Sequence, residues 1–347
     1  MSRRARRKAR KEQGFGAAPA STATPLVAPL PDAFVVQGPP PGSPLLPPDL
    51  DLATWLDAWE RASTRNQEMD RMTRTFISMA KTGGQGKTLV AQMLVLQHEQ
   101  KGVPVRLAAA DSDSLNTRSK LGRMFQGVKE LGCGEDLTRI KSSTDPNLAI
   151  KYWDEFGRTL LDGGHVIDVG ANVAAELFSW AEARNAGALL RRRNSAPLDL
   201  IVTTKAESQG IEDARALIQY SFDKQEWLPF SRRFVVLNEV AGSFSSFEGD
   251  ASFRKLRAFQ SMGVGVITVK RCESDIWQLL EREFISVRDA IKMTEMDLEK
   301  RFGIDVWTGH GGLTDLKNWA AETLQSFEKA GLFPMVHRQD APEPVAG

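Results

Sequence analysis

The chain has 347 residues, of which 41% are hydrophobic and 26% charged, enough for a sizeable buried core and a soluble surface. Its two cysteines, Cys133 and Cys272, are too few and too far apart for a disulfide framework or a zinc site. No apolar run reaches the ~18 residues that a membrane span needs, and the basic start lacks the apolar stretch of a secretory signal. We expect a cytoplasmic protein with no transmembrane segment.

The net charge of +1 conceals a strongly basic start. Residues 1–12 hold seven basic residues and one acidic residue, a net charge of +6, which leaves −5 for residues 13–347. A basic arm of this kind makes salt-dependent contacts with nucleic acid or with an acidic surface. It can equally be a solvated tail that aids solubility, and charge alone favours neither hypothesis.

The segment that follows the basic residues is rich in Pro, Ala, Gly and Ser. Such a composition buries too little apolar surface to offset the entropy of ordering, so we predict a disordered, basic and Pro-rich arm over residues 1–50. A helical lead-in is predicted over residues 51–73. There, apolar side chains recur at helical spacing, at Leu52, Trp55, Leu56 and Trp59.

Residues 75–94 are the most informative stretch of the sequence. A short buried strand leads into a glycine-rich turn and then into an apolar helix, which is the context of a phosphate-binding loop. Glycine favours the positive φ angles that turn backbone N–H groups toward an anion, and the helix directs its positive end to the same point. The candidate nucleotide-binding residues of this loop are Gly83, Gly84, Gln85, Gly86, Lys87 and Thr88.

The chemistry of the loop indicates ATP and Mg²⁺ as cofactors. Lys87 supplies a cation for the β- and γ-phosphates, and Thr88 supplies a hydroxyl ligand for Mg²⁺. The usual pattern begins with glycine, whereas this loop begins with Lys81. A further metal candidate is Asp168, near the end of a hydrophobic strand predicted over residues 165–170, which looks like the aspartate of a Walker B strand.

After the loop, predicted strands and helices alternate along the chain. Strands are expected at residues 104–110, 165–170, 198–204, 233–238 and 263–269. This alternation predicts an α/β fold, a mostly parallel β-sheet with helices on both faces, as in P-loop NTPases.

We assign residues 74–285 to this ATPase domain and residues 286–347 to a helical C-terminal extension and tail. Within the domain, one helix is expected near residues 119–131. In the extension, the glycines of residues 309–312 predict a loop before a last helix over residues 313–330.

Taken together, these motifs resemble the ParA/MinD superfamily of ATPases, the deviant Walker A group that acts in plasmid partition, division-site placement and conjugative transfer. The likeness covers about residues 74–285 and depends on the order and spacing of several motifs. These are the glycine loop at 81–88, Asp111 and Asp113, Asp168 with Gly170 and Ala171, Thr203 and Thr204 with Ser208, and Asn238.

The resemblance implies roles for individual residues. It implies that Asp111 supports the metal shell, that Asp113 orients the attacking water, and that Asn238 hydrogen-bonds the adenine edge. Each of the three also fits an ordinary structural role, because Asp and Asn are common at turns and helix caps. The catalytic candidates of an ATP hydrolase are then Lys87, Asp113 and Lys81, since phosphoryl transfer depends on positioning and charge neutralisation.

One departure from the family concerns its signature lysine, which lies immediately before the Gly-Gly pair and reaches the phosphate of the other subunit. Thr82 occupies that position here, and Lys81 precedes it. Either Lys81 substitutes through a changed loop path, or activation across the dimer is lost and the protein hydrolyses ATP weakly or only binds it. Lys81 also fits a merely solvated side chain.

The leading hypothesis is an ATPase that acts as a nucleotide-dependent homodimeric switch in plasmid or DNA partition, mobilisation or protein positioning. DNA contact is expected from the basic arm and from surface basic residues, while the sequence names no partner protein. Two alternatives stay open, a P-loop small-molecule kinase and a non-hydrolysing nucleotide-binding adaptor. The surface candidates are Arg191, Arg192, Arg193, Arg232, Arg233, Arg254, Lys255, Arg257, Lys270 and Arg271.

Overall fold

A computed structural model describes residues 74–110, 118–131, 144, 146–171 and 173–333. The predicted arm and lead-in helix lie outside the described residues, as do Asp111 and Asp113. Within the described part, strands and helices alternate as predicted, and the strands form one sheet with helices on both faces.

Seven parallel strands make up the sheet. They are β1 (Thr75–Met79), β2 (Arg106–Ala110), β3 (Lys129–Glu130), β4 (His165–Val169), β5 (Leu198–Lys205), β6 (Phe230–Asn238) and β7 (Gly265–Val269). Their order is β3-β2-β4-β1-β5-β6-β7. All five residues of β1 are buried, as expected of a central strand covered on both faces. The chain builds one side of β1 first and the other side from β5 onwards, and ligands of such sheets bind at the carboxyl ends of the strands where the order reverses.

The helices follow the strands and continue beyond them. They are α1 (Lys87–Gln100), α2 (Lys120–Met124), α3 (Pro146–Tyr152), α4 (Asp154–Asp162), α5 (Ala174–Ala183), α6 (Ala186–Arg192), α7 (Ser208–Asp223), α8 (Ala251–Ala258), α9 (Trp277–Arg282), α10 (Val287–Ala290), α11 (Glu295–Phe302) and α12 (Val306–Lys329). The longest, α12, has 24 residues, and neither it nor any other described helix has the length and apolar run of a bilayer-spanning segment.

Two hydrophobic layers enclose the sheet, one on each face. In β1, Ile77 belongs to the layer that contains α4, α5 and α7, and Phe76 belongs to the layer that contains α1 and α12. The two residues separate in this way because successive side chains of a strand point to opposite faces. The C-terminal helices therefore cover the same face of the sheet as α1.

The prediction of a single helix near residues 119–131 is wrong. The residues form the short helix α2 and then β3, which pairs with β2 at the edge of the sheet. Ser119 caps α2 by accepting a hydrogen bond from the Gly122 backbone N–H, and Gly127 turns the chain with a φ of 71°. A strand of two residues is too short to show an alternating pattern, so the sequence gives no signal for it.

The loop expected at residues 309–312 is also wrong, because these residues lie inside α12. The helix begins earlier, where the Asp305 carboxylate accepts hydrogen bonds from the backbone N–H groups of Trp307 and Thr308. A Cβ at Gly312 would lie 2.7 Å from the side chain of Ile276. Glycine at this position therefore permits close helix packing and does not mark a loop.

A buried ion cluster lies at the amino-terminal ends of the central strands, whereas the glycine loop follows the carboxyl end of β1. The fully buried Asp199 carboxylate accepts hydrogen bonds from Arg74 at 2.5 and 2.7 Å and from Arg232 at 2.5 and 3.1 Å. Arg232 also donates to the carbonyl oxygens of Gly331 and Leu332. The cluster thus joins β1, β5 and β6 to the segment that follows α12.

Arg233 is likewise a structural residue. Its guanidinium donates to the Ser221 hydroxyl and carbonyl oxygens and lies 4.0 Å from the centroid of the Phe222 ring. Burial lowers the pKa of Arg233 to about 10. The prediction that Arg232 and Arg233 are surface candidates for DNA contact is therefore wrong. Arg232 is paired with Asp199 and Arg233 is buried, so both cations are structural.

We expect Asp199→Asn to lower the free energy of unfolding by about 3 kcal/mol, because it removes the charge that two partly buried guanidinium groups share. Urea denaturation followed by circular dichroism measures the loss. The matched control is Glu182→Gln, which breaks an exposed pair with Lys224 and should leave the stability close to that of wild type. Equal stability of Asp199→Asn and wild type would contradict the assignment.

Candidate functional site

The loop that joins β1 to α1 has the backbone of an anion-binding turn. Gly84 has a φ of 70° and Gly86 a φ of 104°, a region that favours glycine. Gly86 is the N-cap of α1, so the loop ends at the positive end of a 14-residue helix. A Cβ at Gly86 would lie 2.3 Å from Asn238 Nδ2. Both the torsion angle and the close approach therefore require glycine at this position.

Gln85 fixes the loop against the carboxyl ends of two strands. Its Nε2 donates to Thr82 Oγ1 at 3.0 Å, and its Oε1 accepts from the Lys205 backbone N–H at 2.8 Å. Asn238 Nδ2 donates to the Gln85 carbonyl oxygen at 3.1 Å, while Asn238 Oδ1 accepts from the Val240 backbone N–H at 3.2 Å. Buried polar groups that are satisfied in this way hold the loop in one conformation.

A hydrogen bond connects the first turn of α1 with β4. Thr88 Oγ1 donates to Asp168 Oδ2 at 2.6 Å, and β4 is the direct neighbour of β1, with Asp168 in register with Ser78. The arrangement places a hydroxyl and a carboxylate together below the loop. Oxygen donors of this kind fit Mg²⁺, which proteins bind through one or two side chains, waters and the phosphates of a nucleotide. In the described part of the chain, no cluster of three or more His, Cys, Asp or Glu side chains forms a complete metal cage.

A cavity of about 410 Å³ opens above these residues. Lys87 contributes to its wall, is only 9% exposed as a residue, and forms no ion pair with any described residue. An ammonium group in this setting attracts an anion. The lining residues are Gly84, Gly86, Lys87, Thr88, Leu89, Gln92, Lys120, Asn238, Val240, Trp277 and Glu281.

A second cavity of about 560 Å³ continues from the first, and both are lined by Leu89, Asn238, Val240, Trp277 and Glu281. Its wall includes a pair of tryptophans, Trp277 and Trp319, with ring centroids 5.2 Å apart. Cys272 lies in the same wall, where burial raises the pKa of its thiol and keeps it protonated. The wall of the first cavity therefore carries two lysines, and the wall of the second carries the tryptophan pair together with Lys270, Arg271, Glu273 and Asp275.

Lys81 lies at the start of the loop but does not line either cavity. Its Nζ contacts Asp213 Oδ1 of α7 at 3.0 Å, and Gln209 donates to the same oxygen at 2.9 Å. The Asp213 carboxylate is 5% exposed, whereas the Lys81 side chain is 61% exposed. The cation is thus held by a buried carboxylate of its own chain.

The structure brings together most of the residues predicted for the site. Gly84, Gly86, Lys87, Thr88 and Asn238 line one cavity, and Asp168 contacts Thr88. Gly83, Gln85 and Lys81 belong to the loop but not to the cavity wall.

The residues of the site that were not predicted from the sequence include Trp277, Glu281 and Lys120 of the cavity wall and Asp213, which contacts Lys81. Trp277 and Glu281 lie four positions apart on α9, a spacing that places two side chains on one helix face and was a usable signal. Asp213 gives no such signal, because it lies inside an ordinary amphipathic helix.

The sheet, the loop and the residues below it define a P-loop-like α/β fold. No protein-family model matches the chain. Over 245 residues the chain is 24% identical to the ribose import ATP-binding protein RbsA of Hahella chejuensis (strain KCTC 2396), an alignment that covers 59% of this chain and 44% of that protein. The chain therefore spans less than half the length of this curated relative.

Solved structures similar to this chain include a nucleotide-binding protein of Archaeoglobus fulgidus in complex with ADP, at 12% identity and a TM-score of 0.38, covering 64% of this chain and 90% of that chain. The MinC:MinD cell division protein complex of Aquifex aeolicus has 11% identity and a TM-score of 0.34, and the match covers 72% of this chain and 96% of that chain. Apo McdA of Cyanothece has 12% identity and a TM-score of 0.33, and the match covers 71% of this chain and 98% of that chain. At these identities and TM-scores the functional assignment depends on the site geometry.

We expect Gly86→Ala to lower the free energy of unfolding by about 2 kcal/mol, because alanine is strained at this φ and its Cβ meets Asn238. Urea denaturation measures the loss. In an Asn238→Ala background the same change should cost about 1 kcal/mol less, since the clashing group is gone. The matched control is Gly83→Ala, where a Cβ has no atom within 4 Å, and a similar cost there would contradict the prediction.

Proposed function

We propose that the chain is a ParA/MinD-like ATPase that binds Mg·ATP at the loop between β1 and α1. Support comes from the left-handed glycines, the largely buried residue Lys87 in the cavity wall, and the N-terminal end of α1. The observation that carries the proposal is the 2.6 Å contact between Thr88 and Asp168, because a hydroxyl and a carboxylate next to a glycine-rich turn are suited to hold Mg²⁺ beside a phosphate.

Each polar residue of the site would have a distinct task. Lys87 and the backbone N–H groups around Gly84 and Gly86 would bind the phosphates, and Thr88 and Asp168 would hold Mg²⁺, which neutralises phosphate charge when bound. Asn238 would contact the base through the second N–H of its amide, because the first is used by the loop. Asp111 as metal support and Asp113 as the residue that orients water remain proposals for the segment outside the described residues.

Replacing Lys87 tests whether the lysine of the cavity wall binds ATP and the neighbouring Lys81 does not. We expect Lys87→Ala to weaken ATP binding at least about thirtyfold, because a charge-assisted contact to phosphate contributes about 2 kcal/mol or more. Isothermal titration calorimetry with Mg·ATP measures the loss. Lys81→Ala is the matched control, a neighbouring lysine outside the cavity wall, and should retain affinity within about threefold. Wild-type protein that ignores Mg·ATP would refute the proposed function.

The Lys81–Asp213 contact favours weak turnover, because a cation held by α7 of its own chain is not placed on a phosphate. We therefore expect slow steady-state ATP hydrolysis that Lys81→Ala changes by less than about threefold. A phosphate-release assay on both proteins checks this. Loss of most turnover in Lys81→Ala would instead show that Lys81 takes over the signature lysine's task through a changed loop path.

The finer proposal is a nucleotide-dependent homodimer that positions DNA or a protein cargo, as in plasmid partition or mobilisation. Sedimentation with ATP, with ADP and with Lys87→Ala tests whether nucleotide changes the mass. The same lysine contact favours a second candidate, a nucleotide-binding adaptor that does not hydrolyse ATP. The basic residues that remain exposed for contact with DNA are Arg191, Arg192, Arg193, Arg254, Lys255, Arg257, Lys270 and Arg271.

A further inference from the structure

A second lysine, Lys120, lines the cavity together with Lys87. Lys120, the first residue of α2, donates from Nζ to Glu281 Oε1 of α9 at 3.1 Å, and both side chains line the 410 Å³ cavity together with Lys87 and Thr88. The two side chains are 42% and 46% exposed. Water screens an ion pair of this exposure, so the contact is easily exchanged for a stronger one.

The position of α2 does not depend on this ion pair. The Arg123 guanidinium lies 3.9 Å from the centroid of the Phe284 ring, beyond the end of α9. The Ser119 backbone N–H and hydroxyl both donate to Glu130 Oε1 of β3, and the side chain of Leu121 is fully buried. Lys120 can therefore change partner while its helix stays in place.

Glu281 is unusual in its surroundings. Among the described residues that line this cavity, it is the one carboxylate, facing a space whose other polar walls suit an anion. A polyphosphate entering the cavity repels Glu281 and attracts Lys120, and Coulomb interactions of both signs act over a few ångströms. The pair is thus arranged to break when the cavity is filled by an anion.

We propose that Lys120 is a further phosphate-binding residue, which leaves Glu281 and contacts the nucleotide when the cavity is occupied. Glu281 is its resting partner, which neutralises Lys120 in the empty site and opposes anion binding. This inference depends on the proposed function, because the phosphate that Lys120 takes up belongs to the nucleotide bound by Lys87.

A double-mutant cycle measured by calorimetry with Mg·ATP tests the pair on the full chain. We expect Lys120→Ala to weaken ATP binding about tenfold, as loss of a charge-assisted contact does. We expect Glu281→Gln to tighten binding about threefold, because the competing charge is removed. In the Lys120→Ala background, the gain in ATP-binding free energy from Glu281→Gln should fall by half or more, because Glu281 no longer has a lysine to withhold from the phosphate. Lys120→Arg should retain binding within about threefold, because the cation is kept.

The matched control is Lys292→Ala, which breaks an exposed pair with Glu99 away from the cavity and should leave affinity unchanged. Wild-type affinity in Lys120→Ala, with binding lost in Lys87→Ala, overturns the inference and leaves the proposed function standing. Weaker binding in Glu281→Gln also overturns it, because Glu281 would then contact the nucleotide itself. No binding by wild type removes the proposed function. If Lys120→Ala does not fold, Glu281→Gln and Lys120→Arg decide the question.

Discussion

The hydrogen bond between Thr88 and Asp168 is the contact on which the site depends. It joins the first turn of α1 to β4, and β4 pairs with β1, so the strand before the loop and the helix after it share one neighbour. Gln85 and Asn238 add hydrogen bonds from β5 and β6. The loop between β1 and α1 is thereby fixed from both sides, because its polar groups are satisfied by hydrogen bonds to the neighbouring strands.

The two ends of the strands differ in how their charged residues are paired. At the amino-terminal edge, Asp199 pairs with Arg74 and Arg232 and satisfies its charge inside the protein. At the carboxyl edge, Lys87 is buried without an ion-pair partner among the described residues. Burying an unpaired charge costs free energy, and Lys87 lessens that cost by lining the cavity. Hydrophobic layers on both faces of the sheet stabilise the fold on which this arrangement rests.

Three lysines near the loop differ in what holds them. Lys81 contacts a buried carboxylate of α7, Lys120 contacts an exposed carboxylate of α9, and Lys87 faces the cavity from the first turn of α1. Burial of the partner decides how readily each contact is exchanged, because a carboxylate that loses its cation inside the protein is not solvated in return. Lys87 thus has no ion pair among the described residues, Lys120 has a weak ion pair, and Lys81 has an ion pair with a buried carboxylate.

The sequence by itself determined the alternation of strands and helices, and with it the parallel sheet, because buried strands are short apolar runs between turn residues whereas the helical segments are longer. It also determined the loop, since few other patterns put glycines, Lys87 and Thr88 between a strand and a helix. Only the tertiary structure decided that Lys81 is held by Asp213, that Arg232 and Arg233 are structural, and that Trp277, Lys120 and Glu281 enclose the cavity. Those contacts join residues far apart in the chain, and local pattern carries no information about which distant side chains meet.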